Sequence, residues 1–128
     1  MIIGINGFGR IGRCIARLAI SNNNIQKIHI NDLADQSNLI HLLKYDSIHG
    51  SLKLNFKCKN NAVFFENGTV LSFSKQSKPN DIPWKQYGAE IILECTGKFL
   101  SENTAKDHFI GGAKKIILSA PAKDKSTT

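Results

Sequence analysis

Cysteine, proline, acidic residues and long apolar runs are all scarce in this sequence. Its three cysteines, Cys14, Cys58 and Cys95, are odd in number and widely spaced, so they spell neither a disulfide framework nor a zinc ligand set. Reduced thiols are the expectation. Three prolines and 10 glycines exclude a collagen-like or low-complexity chain, and 41% hydrophobic with 21% charged residues argue against disorder and coiled coil. No apolar run reaches the roughly 20 residues that a membrane helix needs, and Met1 opens straight into a strand-like run with no basic segment before it. The expected compartment is therefore the cytoplasm, with no membrane partner. Asp and Glu number 10 against 17 Lys and Arg, a formal charge of +7 that would suit an anionic ligand or a nucleic acid. The charge is scattered, however, and its densest pieces (Lys53 to Lys59, Lys75 to Lys78, Lys114 to Lys125) lack the interleaved aromatics of a single-strand platform. A solvated, anion-steering surface is the simpler reading. What remains, in 128 residues, is one cored globular domain.

The apolar spacing then sets the class. Ile2 to Asn6 is a near-continuous apolar run, the pattern of a strand buried on both faces. From Arg10 to Ser21 the period changes, and Ile11, Cys14, Ile15, Leu18 and Ala19 fall on one helical face. Ile25 to Asn31 alternates as a second strand, which makes a right-handed parallel βαβ unit. Gln36 to Lys44 reads as a short apolar helix. Leu52 to Cys58, Ala62 to Glu66 and Val70 to Ser74, with the Asn67-Gly68 turn signal, read as an antiparallel excursion. Pro79 to Trp84 is a connector. Ala89 to Cys95 and Lys115 to Ser119 resume the buried-strand pattern, with Ser101 as the N-cap of a segment between them. The expected fold is α/β: a doubly wound, mostly parallel Rossmann-type sheet with a small antiparallel insertion between its second and third main strands.

One motif carries chemistry. Gly7-Phe8-Gly9-Arg10-Ile11-Gly12 directly follows the first strand and opens the first helix, and Asp32 ends the second strand 20 positions after Gly12. Gly7 permits a tight turn, Gly9 removes a side chain where a pyrophosphate must approach the backbone, and Gly12 lets helix and sheet pack closely. The N–H groups at the helix start, helped by the macrodipole, suit a diphosphate. The Asp32 carboxylate can accept from ribose hydroxyls and opposes a 2′-phosphate. With strand, glycines, helix and distal acid in register, a dinucleotide site is expected.

The run Gly4 to Arg13, the pair Asn31-Asp32, Tyr45-Asp46-Ser47-Ile48-His49-Gly50, Glu94-Cys95-Thr96-Gly97, and Gly111 to Lys115 leading to Ser119-Ala120-Pro121 together resemble glyceraldehyde-3-phosphate dehydrogenase. The resemblance implies the NAD-binding part of a phosphorylating aldehyde dehydrogenase, a homotetramer acting on a phosphorylated aldehyde and inorganic phosphate to give an acyl phosphate. It implies backbone pyrophosphate contacts at Arg10 and Ile11, an adenosine ribose contact at Asp32, an adenosine-side wall at Thr96 and Gly97, and a contact near the nicotinamide at Ser119. The family's basic adenine-side residue falls near Ser77, where Lys75 and Lys78 both compete, and that contact stays unassigned. The family's Ser-x-Cys-Thr-Thr-Asn nucleophile segment does not occur in these residues. Residues 1–128 are thus expected to be an incomplete NAD-binding domain, truncated before the substrate domain and without a catalytic residue or metal ligand of its own.

Two alternatives stay open. Erythrose-4-phosphate dehydrogenase shares a run like Leu42 to Asp46, although Ser119-Ala120-Pro121 leans toward the glyceraldehyde branch. An RNA-binding or regulatory nucleotide-binding module would use the +7 charge. Among single residues, Cys14 and Cys95 read as packing, Arg13 as structural, His49 as a loop hydrogen-bonding residue, and His29, His41 and His108 as surface or boundary histidines.

Overall fold

The computed structural model describes residues 1–22, 24–45, 55–96 and 106–118. Among these residues, seven strands and two helices run in the order β1 (Ile2–Asn6), α1 (Arg10–Ile20), β2 (Lys27–Asn31), α2 (Gln36–Tyr45), β3 (Phe56–Lys59), β4 (Ala62–Phe65), β5 (Val70–Ser74), β6 (Ile91–Glu94) and β7 (Lys115–Leu118), with short 3₁₀ turns at Pro79–Asp81 and Lys106–Phe109. All seven strands form one sheet in the order β3-β4-β5-β2-β1-β6-β7. The stretch from β5 to β7 is parallel throughout, and β3 and β4 add an antiparallel hairpin at one edge. This is the expected Rossmann-type architecture, with one boundary moved. Val70–Ser74 closes the antiparallel excursion through β4, as read from its turn signals, but it also pairs in parallel with β2 and is itself the third parallel strand. Turn chemistry reveals only the partner on the near side of a strand. The Asn60-Asn61 turn of the edge hairpin, with φ of 52° and 62°, is the left-handed pair that such a two-residue connection demands.

β1 and β2 are isoleucine-rich because both of their faces are covered. On one face Ile3, Ile5, Ile28 and Ile30 pack with Ala16, Ala19 and Ile20 of α1 and with Leu39 and Leu43 of α2. The two helices are tied together where the Arg17 guanidinium donates to the Leu43 carbonyl. On the other face Ile82, Trp84, Ala89, Ile92 and Ala113 form a second cluster. Trp84 packs against Gly4, where a β-carbon would fall 2.5 Å from its ring. A sheet with a core on each side has no solvent face near its centre, and this overturns the surface reading of two histidines. His29 is 1% and His108 0% exposed, whereas His41 is exposed as expected. The alternation in β2 is real, but its polar side meets the Trp84 layer instead of water.

The face of α1 is rotated from the expected one. Gly12, Ala16, Ala19 and Ile20 are buried, while Ile11 and Leu18 are 50% and 69% exposed. Two stripes one residue apart satisfied the helical period, and bulk favoured the wrong one. Close approach to the loop after β1 needs small residues: a β-carbon on Gly12 would lie 2.2 Å from the Gly7 carbonyl oxygen. Cys14 is accordingly half-buried rather than core. The helix ends against the β4–β5 turn, where Asn67 Nδ2 donates to the Ile20 carbonyl at 2.7 Å.

Candidate functional site

The site lies where the chain, having built the sheet outward from β1 through β2 to β5, crosses back to lay β6 on the other side of β1. Ligands of open α/β sheets bind at such a reversal, at the carboxyl ends of the strands. There a crevice of about 320 Å³ is lined by Asn6, Gly7 and Gly9 after β1, Asn31, Asp32 and Leu33 after β2, Gln76 and Ser77 after β5, and Cys95 and Thr96 after β6.

Each glycine of the motif has a distinct geometric reason. Gly7 has φ of +95°, and a β-carbon there would strike the Thr96 backbone nitrogen at 2.8 Å. Gly12 is buried against Gly7, as described. Gly9 differs: its β-carbon would meet nothing within 4 Å, so the space it leaves is the crevice itself. Gly9 is also the N-cap of α1, and the first helical turn contains no acidic side chain. The positive end of the macrodipole therefore opens onto the crevice with no acid of the helix's own first turn to offset it. Arg10 and Ile11 sit on that exposed first turn, outside the crevice lining. Arg13 turns back, its Nη1 donating to the Phe8 carbonyl at 3.2 Å.

The half-buried Asp32 carboxylate is already engaged. Oδ2 accepts from the Phe8 backbone N–H at 2.7 Å and Oδ1 from that of Ala34 at 2.9 Å. Each oxygen retains a second lone pair for a ligand hydroxyl. Lys75, one of the two candidates for the adenine side, instead pairs with the exposed Asp35 at 2.8 Å and holds its carboxyl below the usual range by hydrogen bond and charge. Gly97 and Ser119 lie outside the described residues, as do His49, Ser101 and the Ser119-Ala120-Pro121 segment.

Beneath the crevice runs a row of polar side chains, buried at Asn6, Asn31 and Glu94 and half-buried at Ser74, that sequence reasoning missed. Asn6, Asn31, Ser74 and Glu94 occupy one register line across β1, β2, β5 and β6. Ser74 Oγ donates to Asn31 Oδ1 at 2.7 Å, Asn31 Nδ2 to Asn6 Oδ1 at 2.9 Å, and Asn6 Nδ2 to Glu94 Oε1 at 2.8 Å. Asn31 also holds the loop after β5, accepting from the Gln76 N–H and donating to the Gln76 carbonyl, each at 2.9 Å. At the near end, Ser74 uses its one proton on Asn31, so His29 Nε2 donates to it at 2.9 Å and Nδ1 accepts from Ser72 at 2.6 Å. His29, stacked on Tyr87, is thus a neutral imidazole, and burial pushes its pKa down to about 4. At the far end, Trp84 Nε1 can only donate, and it does so to His108 Nδ1 at 3.1 Å. The His108 proton therefore sits on Nε2 and points at Glu94 Oε1, 2.8 Å away. Burial pushes the fully buried Glu94 carboxyl up, and hydrogen bonds from His108, Thr96 and Asn6 outweigh it to leave the pKa below the ordinary value. The only signal for this row was polar residues ending buried-looking strands.

The family model described as "Glyceraldehyde 3-phosphate dehydrogenase, NAD binding domain" matches residues 1–102. The chain is 43% identical over 126 residues to glyceraldehyde-3-phosphate dehydrogenase 1 of Bacillus cereus, an alignment covering 98% of this chain and 37% of that protein. It is 44% identical over 124 residues to glyceraldehyde-3-phosphate dehydrogenase of Mycoplasma pneumoniae, covering 97% and 36%, and 42% identical over 122 residues to that of Buchnera aphidicola, covering 95% and 36%. The chain thus spans little more than a third of the length of the relatives it matches.

Proposed function

Because the chain belongs to the glyceraldehyde-3-phosphate dehydrogenase family, whose NAD-binding domain it matches, we propose that it holds NAD for a phosphorylating oxidation of glyceraldehyde 3-phosphate. The observation that carries this reading is the meeting, in one crevice, of the open Gly9 position, the acid-free start of α1 and the Asp32 carboxylate. These features fit a dinucleotide: a diphosphate needs bare backbone N–H groups and a ribose needs an acceptor. In this reading Gly7 and Gly12 shape the loop, Gly9 admits the pyrophosphate, the Arg10 and Ile11 backbone receives it, Asp32 takes the ribose, Thr96 and Gly97 wall the adenosine side, and Ser119 serves the nicotinamide end. When bound, the cofactor supplies the hydride acceptor. None of the 128 residues is given the covalent step, and the phosphorylated aldehyde, inorganic phosphate, homotetrameric assembly and cytoplasmic location belong to the whole enzyme of this proposal. The names of the relatives favour the glyceraldehyde over the erythrose substrate.

Gly9→Val tests the reading. A β-branched side chain there would project into the crevice without touching the core, so the variant should fold as the wild type does while its NAD affinity, measured by isothermal titration calorimetry, falls by about tenfold or more. Unchanged affinity in a folded variant would leave the glycines with a packing role alone.

A further inference from the structure

Glu94 is the only fully buried acid among the described residues, and no lysine or arginine there pairs with it. Such a charge is tolerated only when its lone pairs are filled. They are: Asn6 Nδ2 and His108 Nε2 reach Oε1, while Thr96 N and Thr96 Oγ1 reach Oε2 at 2.9 and 2.6 Å. The Thr96 contacts face the site. Thr96 lines the crevice, and its backbone nitrogen and methyl would lie only 2.8 and 2.7 Å from a β-carbon on Gly7, so Thr96 and the first glycine of the loop touch. Any shift of the Glu94 carboxylate is therefore passed to the wall facing the glycine loop.

We propose that Glu94 is a positioning residue for the crevice: donors supplied from the sheet by Asn6 and from the opposite layer by Trp84 through His108 fix its carboxylate, which holds Thr96 in place before any ligand arrives. Its role in cofactor binding rests on the crevice being the NAD site. The polarity of the relay is what makes it work. Trp84 has no acceptor and Glu94 no donor, so His108 must carry its proton toward Glu94 and cannot reverse.

The test compares His108→Leu with His108→Gln in the full chain. Glutamine can donate through its amide to Glu94 and accept from Trp84 through its carbonyl; leucine keeps bulk and offers neither. His108→Leu should weaken NAD binding by at least about fivefold in calorimetry, and His108→Gln should stay within about twofold of wild type. In the ligand-free chain, the Thr96 amide proton resonance should move with leucine and return toward its wild-type position with glutamine. Wild-type affinity in folded His108→Leu, or a Thr96 resonance that moves equally in both variants, overturns the proposal. Should His108→Leu fail to fold, Trp84→Phe removes the N–H that locks the histidine, and a Thr96 resonance unmoved there overturns it as well. A wild-type chain that ignores NAD while Thr96 still distinguishes the two substitutions supports the anchoring and overturns the cofactor reading alone.

Discussion

The Asp32 carboxylate has a structural duty beside the ribose contact proposed for it, and this changes what its removal should do. Sequence spacing assigned it to a ribose, and the structure adds that it holds the Phe8 and Ala34 backbone N–H groups. Asp32→Ala therefore removes charge-assisted hydrogen bonds that hold the glycine loop, and the variant should lose about 1.5 to 3 kcal/mol of stability before any ligand is added. Titration of both cofactors should then show NAD bound more tightly than NADP by wild type, and a narrower gap in the variant. An unchanged ratio would take the ribose from Asp32, and an unchanged urea midpoint would take the loop from it. His29 makes the second residue-scale prediction. It is neutral when folded, with a pKa of about 4 against 6.5 when exposed, so between those values the unfolded chain binds the extra proton and stability rises with pH. The contribution is complete above pH 6.5 and is lost as pH falls toward about 4, amounting to about 3 kcal/mol. Urea midpoints near pH 7 and near pH 5 should differ in wild type and converge in His29→Gln. Glu94, whose pKa is lowered, works at the next step down: its contribution is present above the ordinary carboxylate value of 4.5 and is lost as pH falls through its folded pKa, so some acid lability should survive in the variant.

At the scale of the element, α1 shows why a helix can be legible in existence and illegible in rotation. The change of period after Gly9 placed the helix within a residue of its observed bounds. Its buried stripe was misread because Ile11 and Leu18 outweigh Gly12 and Ala16 in apolar bulk, while burial here is decided by how near the backbone can come to the sheet. Mutation should separate the two faces. Leu18→Gln, at an exposed position, should alter stability by no more than about 0.5 kcal/mol, whereas Ile20→Ala, at a fully buried one, should cost about 2 to 4 kcal/mol. A large loss for Leu18→Gln would restore the stripe that the spacing suggested. The same distinction applies to β2. A period of 2 separates two faces without saying that one of them is wet, and what lies over the second face is contributed by Trp84 and Tyr87, more than 50 positions later in the chain.

For the whole molecule, the glycine motif, the distal acid and the alternation of strand and helix made the parallel sheet and the place of the candidate crevice readable, because all three are local. The polar row was unreadable because its members come from four strands and meet only after the order β5-β2-β1-β6 is set. That order also ties the two cores together. Ile3 and Ile5 of β1 enter the helix-side cluster while the intervening Gly4 seats Trp84, and Ile92 of β6 belongs to the Trp84 side. One core therefore cannot dissolve without stripping a face of strands that the other requires. Trp84 is the sole tryptophan and is fully buried on the side away from α1 and α2, so its fluorescence reports one core and far-ultraviolet circular dichroism of the helices the other. Emission should be blue-shifted in the folded chain, and the two signals should trace one urea transition with the same midpoint. An earlier red shift of the emission would mean that the Trp84 layer opens by itself, and the sheet would then be a platform for two independent cores.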